Sequence, residues 1–101
     1  MNYLSSYGLS EEEIETVEKV IDKSGINKDI FVYDFEKIIE ILNIFNDFGI
    51  NNIFGIMTTS PSLFCDTPSS ILKRLESYGN KEEIAKLINE NADNLALVDL
   101  I

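Results

Sequence analysis

Two segments of this chain end in the same way. "ILNIFNDFG" (residues 41–49) and "ILKRLESYG" (residues 71–79) share Ile-Leu, a large apolar residue three positions after the Leu, and an aromatic-Gly stop, at a shift of 30 residues. The likeness continues beyond the stop. Ile53, Ile56, Met57, Pro61 and Phe64 correspond to Ile84, Leu87, Ile88, Ala92 and Leu95 at a shift of 31. The amino end supplies a third start, "SYGLSEEEIETV", in which Gly8 precedes a helical pattern as Gly49 and Gly79 do. Self-similarity at such a period predicts one supersecondary unit used repeatedly. The unit reads Gly, helix, apolar corner, helix, aromatic-Gly. Neither helix can bury its apolar stripe alone, so stacked neighbours must cover it.

The expected fold is therefore all-α: a short α-solenoid of stacked helix pairs with apolar corners, built from five or six helices. The units span about 8–48, 49–78 and 79–101. The chain has 101 residues, enough for a single helical-repeat domain. A domain of this size buries roughly 65% of its extended surface.

Local punctuation places the helices. Ser10 followed by Glu13 forms a capping box ahead of Ile14, Val17, Val20 and Ile21. Glu11, Glu12 and Glu13 suit the positive end of the helix dipole. Ser24-Gly25 ends that helix. "INKDIFVYD" is strand-like in composition but has no obvious partner strand, so a buried corner is expected there. Asp34 caps a second helix to about Asp47, with Ile38, Ile39, Ile41, Leu42 and Phe45 on a broad apolar face.

A third helix covers about Asn51 to Thr59. Pro61 ends it, Leu63 and Phe64 plug the corner, and Thr67-Pro68 starts a fourth helix to Tyr78. Cys65 is expected in the corner as a small buried hydrophobe. Asn80 and Glu83 predict another capping box before a helix to about Glu90, and "ADNLALVDLI" predicts a last short helix.

The repeats resemble those of the mitochondrial transcription termination factor family. The residues that carry the resemblance are "YGLSEEEIETV", "FGINNIFGIMTTSPSLFCDTPSSILKRLESYG" and "YGNKEEIAKLINENADNL". That family's repeat has a Gly-led helix, a Pro-x-Leu-aliphatic corner and a second helix ending in Leu and then Gly. Pro61-Ser62-Leu63-Phe64 is the one full corner here; Ala92 replaces the Pro in the third unit, and "DIFVYD" departs from it in the first. The resemblance implies an α-solenoid with double-stranded nucleic acid on its inner face.

Charge argues otherwise. The chain carries 18 acids and 8 bases, a net charge of −10. Residues 1–50 hold eleven acids and four bases, so most of the excess lies there. Such a chain is repelled by nucleic acid and by anionic membranes. A duplex reader needs cations at recurring positions along the phosphates. Lys73 and Arg74 align with Asn43 and Ile44, and Lys86 with Gly55, so no basic stripe recurs. Lys73, Arg74 and Lys86 are the candidate phosphate contacts, with Glu76, Glu82 and Glu83 among them.

Histidine is absent, which removes the usual general base and metal ligand. Glu36 and Glu40 share a helix face, as solvated surface acids do. "DKSGINKDIFVYDFE" fails as a calcium loop. From Asp22 its Gly stands at the fourth position, and Tyr33 occupies the place of the required Glu. The glycines read as isolated helix stops rather than a phosphate loop. No enzyme activity, cofactor or metal is expected.

Two functional classes remain. One is a protein-binding helical module, with the acidic face Glu11, Glu12, Glu15 and Glu18 as its candidate contact. Its apolar tail, Leu95, Leu97, Val98, Leu100 and Ile101, either completes the core or self-associates. The other is nucleic-acid-related: direct duplex binding, or acidic mimicry that occupies a basic groove on a nucleic-acid-binding protein. One cysteine fits a reducing compartment, and Met1 to Ser10 lacks a basic start and an apolar core of a signal peptide. No apolar run approaches ~20 residues, so a cytoplasmic protein is expected.

Overall fold

The computed structural model describes residues 1–101, and every regular element in it is helical. Six α-helices follow in order: α1 (Glu11–Ser24), α2 (Asp29–Val32), α3 (Phe35–Asp47), α4 (Ile53–Thr59), α5 (Pro68–Glu76) and α6 (Lys81–Glu90). Three 3-10 segments complete the chain: Asn2–Tyr7, Pro61–Cys65 and Ala92–Val98.

Caps explain most boundaries. The Ser10 hydroxyl accepts from the Glu13 amide at 3.2 Å, and the Glu13 carboxylate accepts from the Ser10 amide at 3.0 Å. Both halves of that box are present. At α6 only one half forms: the Asn80 side chain accepts from the Glu83 amide at 3.0 Å, and Glu83 stays exposed without returning the bond. Thr67 caps α5 through the Ser70 amide at 3.2 Å, with Pro68 at the first helical position.

Some expected boundaries shift. Asp34 stands before α3, but its backbone (φ −101°, ψ 36°) lies outside the extended region that aims a cap, and its side chain makes no cap bond. The third helix starts at Ile53 instead of Asn51, capped by Asn52. The fourth stops at Glu76 instead of Tyr78. There the Tyr78 amide reaches back only to Leu75, and the Gly79 amide to Glu76, tightening the last turn. "DIFVYD" is one helical turn, in which Phe31 is buried while Val32 and Tyr33 face out.

Three of the helix stops share a geometry. Gly49 adopts φ 81°, its amide donates to Asn46, and the next amide, Ile50, donates to Phe45 at 2.9 Å. This pair of hydrogen bonds is the Schellman arrangement, and the left-handed φ is why glycine stands there. Leu4–Gly8–Leu9 and Leu95–Asp99–Leu100 repeat it, with both apolar residues buried in each case. Asp99 takes the glycine position at φ 57°.

Packing brings equivalent positions into one core. Helix α1 lies against α4, α3 against α5, and α5 against α6; the C-terminal 3-10 segment rests on α4 and α6. Ile41 and Ile71 are both fully buried, as are Phe45 and Leu75 to within 1%. Ile53 and Ile84, Met57 and Ile88, and Phe64 and Leu95 match in the same way, whereas Leu72 and Leu87 are only half-buried where Leu42 and Ile56 are fully buried. The radius of gyration is 12.6 Å, close to the ~13 Å of an ordinary compact domain of about 100 residues. With extents of 33 × 24 × 22 Å, the chain is not drawn out into a rod.

Candidate functional site

The acidic excess is concentrated in the N-terminal half, where residues 1–50 hold eleven acids and four bases. Helix α1 points Ile14, Val17 and Ile21 inward. Its 3.6-residue period then turns Glu11, Glu12, Glu15 and Glu18 outward, and all four are exposed. Glu11, Glu15, Glu18 and Asp22 recur at helical spacing on one face. The last two stand over a groove that also involves Met1, Ile21, Lys28 and Val32. Lys28 meets Asp22 at 3.8 Å across it, a solvated pair worth about 0–1 kcal/mol.

Apolar side chains surface beside this acidic face. Val32, Tyr33 and Phe35 are 44%, 75% and 39% exposed. Tyr3 stacks on Phe35 with ring centroids 5.5 Å apart and planes 21° apart. The Tyr3 hydroxyl donates to the Phe31 carbonyl at 2.7 Å, which fixes that platform to the core. Burial pushes the Tyr3 phenol well above its ordinary range. Tyr7, donating to the Asn43 side chain at 2.8 Å, is also raised by burial.

The candidate phosphate contacts are not equivalent. Lys73 and Lys86 are exposed. Arg74 is engaged internally: its guanidinium donates to the Asp99 carbonyl and lies 3.8 Å from the Asp66 carboxylate. Asp66 itself accepts from the Thr67 amide at 2.8 Å and the Ser70 hydroxyl at 3.1 Å. Those two bonds, with the Arg74 charge, hold its carboxyl below the usual range. Lys81, nearby in sequence, lies 4.9 Å above the Phe48 ring.

The tail divides. Leu95, Val98 and Leu100 enter the core, while Leu97 and Ile101 remain 53% and 60% exposed. Cys65 corrects an expectation, being exposed and not buried. Phe64 and Leu63 on the same 3-10 turn fill the corner, and the next residue is rotated out to solvent. No group of three or more Cys, Asp or Glu side chains converges on a metal-sized site. No helix is long and apolar enough to cross a membrane.

Sequence reasoning missed the polar junctions. The Asn89 side chain accepts from the Asn51 and Asn52 amides at 2.8 and 3.2 Å and donates to the Gly49 carbonyl at 3.0 Å. Asn52 answers by donating to the Ile88 carbonyl at 3.0 Å while capping α4 through the Gly55 amide. Gly55 is therefore no helix stop. A Cβ there would stand 2.6 Å from the Asn52 side-chain oxygen, so glycine leaves room for the cap. Buried Ser60 donates to the Leu100 carbonyl at 2.6 Å. The abundance of Asn was the one available signal, and it does not say which Asn bonds what.

No protein-family profile, curated protein or solved structure matches the chain.

Proposed function

We propose that this chain is a short stack of three helix-pair units that serves as a non-catalytic docking module for a protein partner. Its punctuation resembles that of mitochondrial transcription termination factor repeats. The matched burial of Phe45 with Leu75, Met57 with Ile88 and Phe64 with Leu95 supports the stacked reading. So does the pairing of α1 with α4 and of α3 with α5 across the first two units, whereas the third unit joins differently, with α6 on α5 and the C-terminal 3-10 segment on α4.

The observation that carries the docking reading is the surface beside α1. Val32 stands exposed beside Glu18 and Asp22, and Tyr33 and Phe35, the latter stacked on Tyr3, are exposed just after it in the chain. Exposed apolar patches rimmed by charge mark sites of association. The polar groups elsewhere, including Ser60, Asn52, Asn89 and Arg74, are occupied in holding the fold.

Acidic mimicry of nucleic acid is the second reading, favoured by the exposed row of Glu11, Glu15 and Glu18. Direct duplex binding is weakened by the internal engagement of Arg74. A duplex gel shift beside a reconstituted pull-down with purified partner tests the proposal. Retention of a partner without duplex binding is expected. A salt-sensitive duplex shift lost with Lys73→Glu plus Arg74→Glu would overturn it in favour of direct binding. Capture limited to the DNA-binding groove of a nucleic-acid enzyme, lost on neutralising Glu11, Glu12, Glu15 and Glu18, would favour mimicry.

A further inference from the structure

The groove at the end of α1 joins an apolar floor to an acidic wall. Met1, Ile21 and Val32 supply its apolar lining, and Glu18 and Asp22 its acidic lining. It encloses about 250 Å³. That is below the ~300–1,000 Å³ typical of small-molecule sites, and suits one or two side chains of a docking segment. Beyond the groove, Tyr33 and Phe35 are the next exposed apolar side chains along the sequence; Phe35 is backed by Tyr3, and Tyr33 borders Asp34, Glu36 and Lys37. From Glu18 the acidic wall continues to Glu15 and Glu11, a run of roughly 16 Å from Glu11 to Asp22 at 1.5 Å per residue. Lys28, the one basic side chain in the groove, is already paired with Asp22.

These two strips select their occupant. It must present apolar side chains on one side and positive charge on the adjoining side. Resting on the protein-docking reading above, we infer that the groove receives a basic amphipathic helical segment of a partner protein. Its apolar residues seat between Met1 and Val32, and its lysines or arginines lie along Glu11, Glu15, Glu18 and Asp22. Helix-in-groove recognition uses this division of labour, and charge complementarity fixes register and speeds encounter. A second copy of the chain is a poor occupant. It also carries −10, and its exposed Leu97 and Ile101 flank Asp99. Duplex nucleic acid and anionic lipid are repelled by the same carboxylates.

The test titrates the isotope-labelled full chain with a synthetic Leu/Lys amphipathic helix and follows amide shifts. A scrambled peptide of equal composition, with no apolar face, is run beside it. Shifts are expected at Glu18, Asp22, Val32, Tyr33 and Phe35, with the scrambled peptide about tenfold weaker. Val32→Asp, and separately Glu18→Lys with Asp22→Lys, each weaken binding about tenfold with helicity unchanged. If Val32→Asp does not fold, Tyr33→Ser at the most exposed position serves in its place. Equal binding of the scrambled peptide overturns the proposal, because charge alone then suffices. Shifts confined to Leu97 and Ile101 overturn it while leaving a protein-docking module standing. Absence of peptide binding together with a duplex shift removes both. A concentration-dependent dimer that buries Val32 assigns the patch to a second copy and overturns the proposal as well.

Discussion

The rings of Phe31 and Phe64 meet edge to face, with centroids 6.0 Å apart and planes at 61°. One comes from the helical turn α2, the other from the Pro61 3-10 segment, and both are fully buried. The two chain corners thus share one apolar plug. Phe31→Ala or Phe64→Ala should each cost about 3–5 kcal/mol. That is a large fraction of the ~5–15 kcal/mol that holds a small domain together. Urea unfolding of both single variants and the double variant should show a coupling of about 0.5–1.5 kcal/mol beyond additivity. Strict additivity would mean the corners do not touch.

Asn89 bridges the end of α6 to the loop entering α4 through three hydrogen bonds. Asn89→Ala should destabilise by about 1–3 kcal/mol, since the Asn51 and Asn52 amides lose their acceptor. Amide exchange at Asn51 and Asn52 should accelerate more than at core positions of α3. Asn89→Asp keeps the acceptor but places a carboxylate against the Gly49 carbonyl, so it should rescue only part of the loss. Unchanged exchange in both variants would show that water replaces the side chain without cost.

Tyr3, with Tyr7, feeds the alkaline pH limb, and Asp66 feeds the acid one. The buried Tyr3 phenol titrates above its ordinary value, so the folded chain keeps a proton that the unfolded chain releases from about pH 10. Its contribution is complete below that pH and is lost as pH rises toward the folded value. Tyr3→Phe should flatten the alkaline fall of the urea midpoint. Asp66 is lowered by the Thr67 amide first, then by Ser70 and Arg74. Its contribution is present above about pH 4 and is lost as pH falls through the lowered value. Asp66→Asn should flatten the acid limb. Curves parallel to wild type in both variants would assign the limbs to other groups.

Cys65 is open to solvent although both residues before it are buried. A thiol reagent should label it stoichiometrically in the native state, at a rate independent of added stabilising salt. Labelling that appears only with unfolding would contradict its exposure. Cys65→Ser should shift stability by no more than about 0.5 kcal/mol, as surface substitutions do.

The tail offers an internal control. Leu95 is fully buried and Leu97, two positions on, is half exposed. Leu95→Ala should cost about 2–5 kcal/mol and Leu97→Ser no more than about 0.5 kcal/mol. Ending the chain ahead of Asn94 deletes Leu95, Val98, Leu100 and the Ser60–Leu100 bond together, and should abolish cooperative thermal melting. A truncation that melts normally would exclude the tail from the core.

The helical segments were legible because their signals are short-range. Ser10 and Glu13 cap α1, Thr67-Pro68 opens α5, and Gly49 stops the turn after α3, each within four residues of the boundary it makes. The inward stripes of α1 and α3 follow from a 3.6-residue period alone. The acidic face was legible for the same reason, as the complement of an inward stripe. Its apolar neighbour was missed because "DIFVYD" has no period to read. One helical turn buries Phe31 and leaves Val32 and Tyr33 outside.

By itself, then, the sequence determined that this protein is helical, where most of its helices begin and end, which stripes turn inward, and that its surface is strongly acidic. Those properties depend on residues within a turn or two of one another and on summed charge. Tertiary structure alone decided that Arg74 binds the Asp99 carbonyl, that Asn89 clasps Gly49, that Cys65 faces water, and that Val32 and Glu18 border one groove. Each of these joins or separates groups through the packing of the whole chain, and no local pattern specifies which distant group arrives.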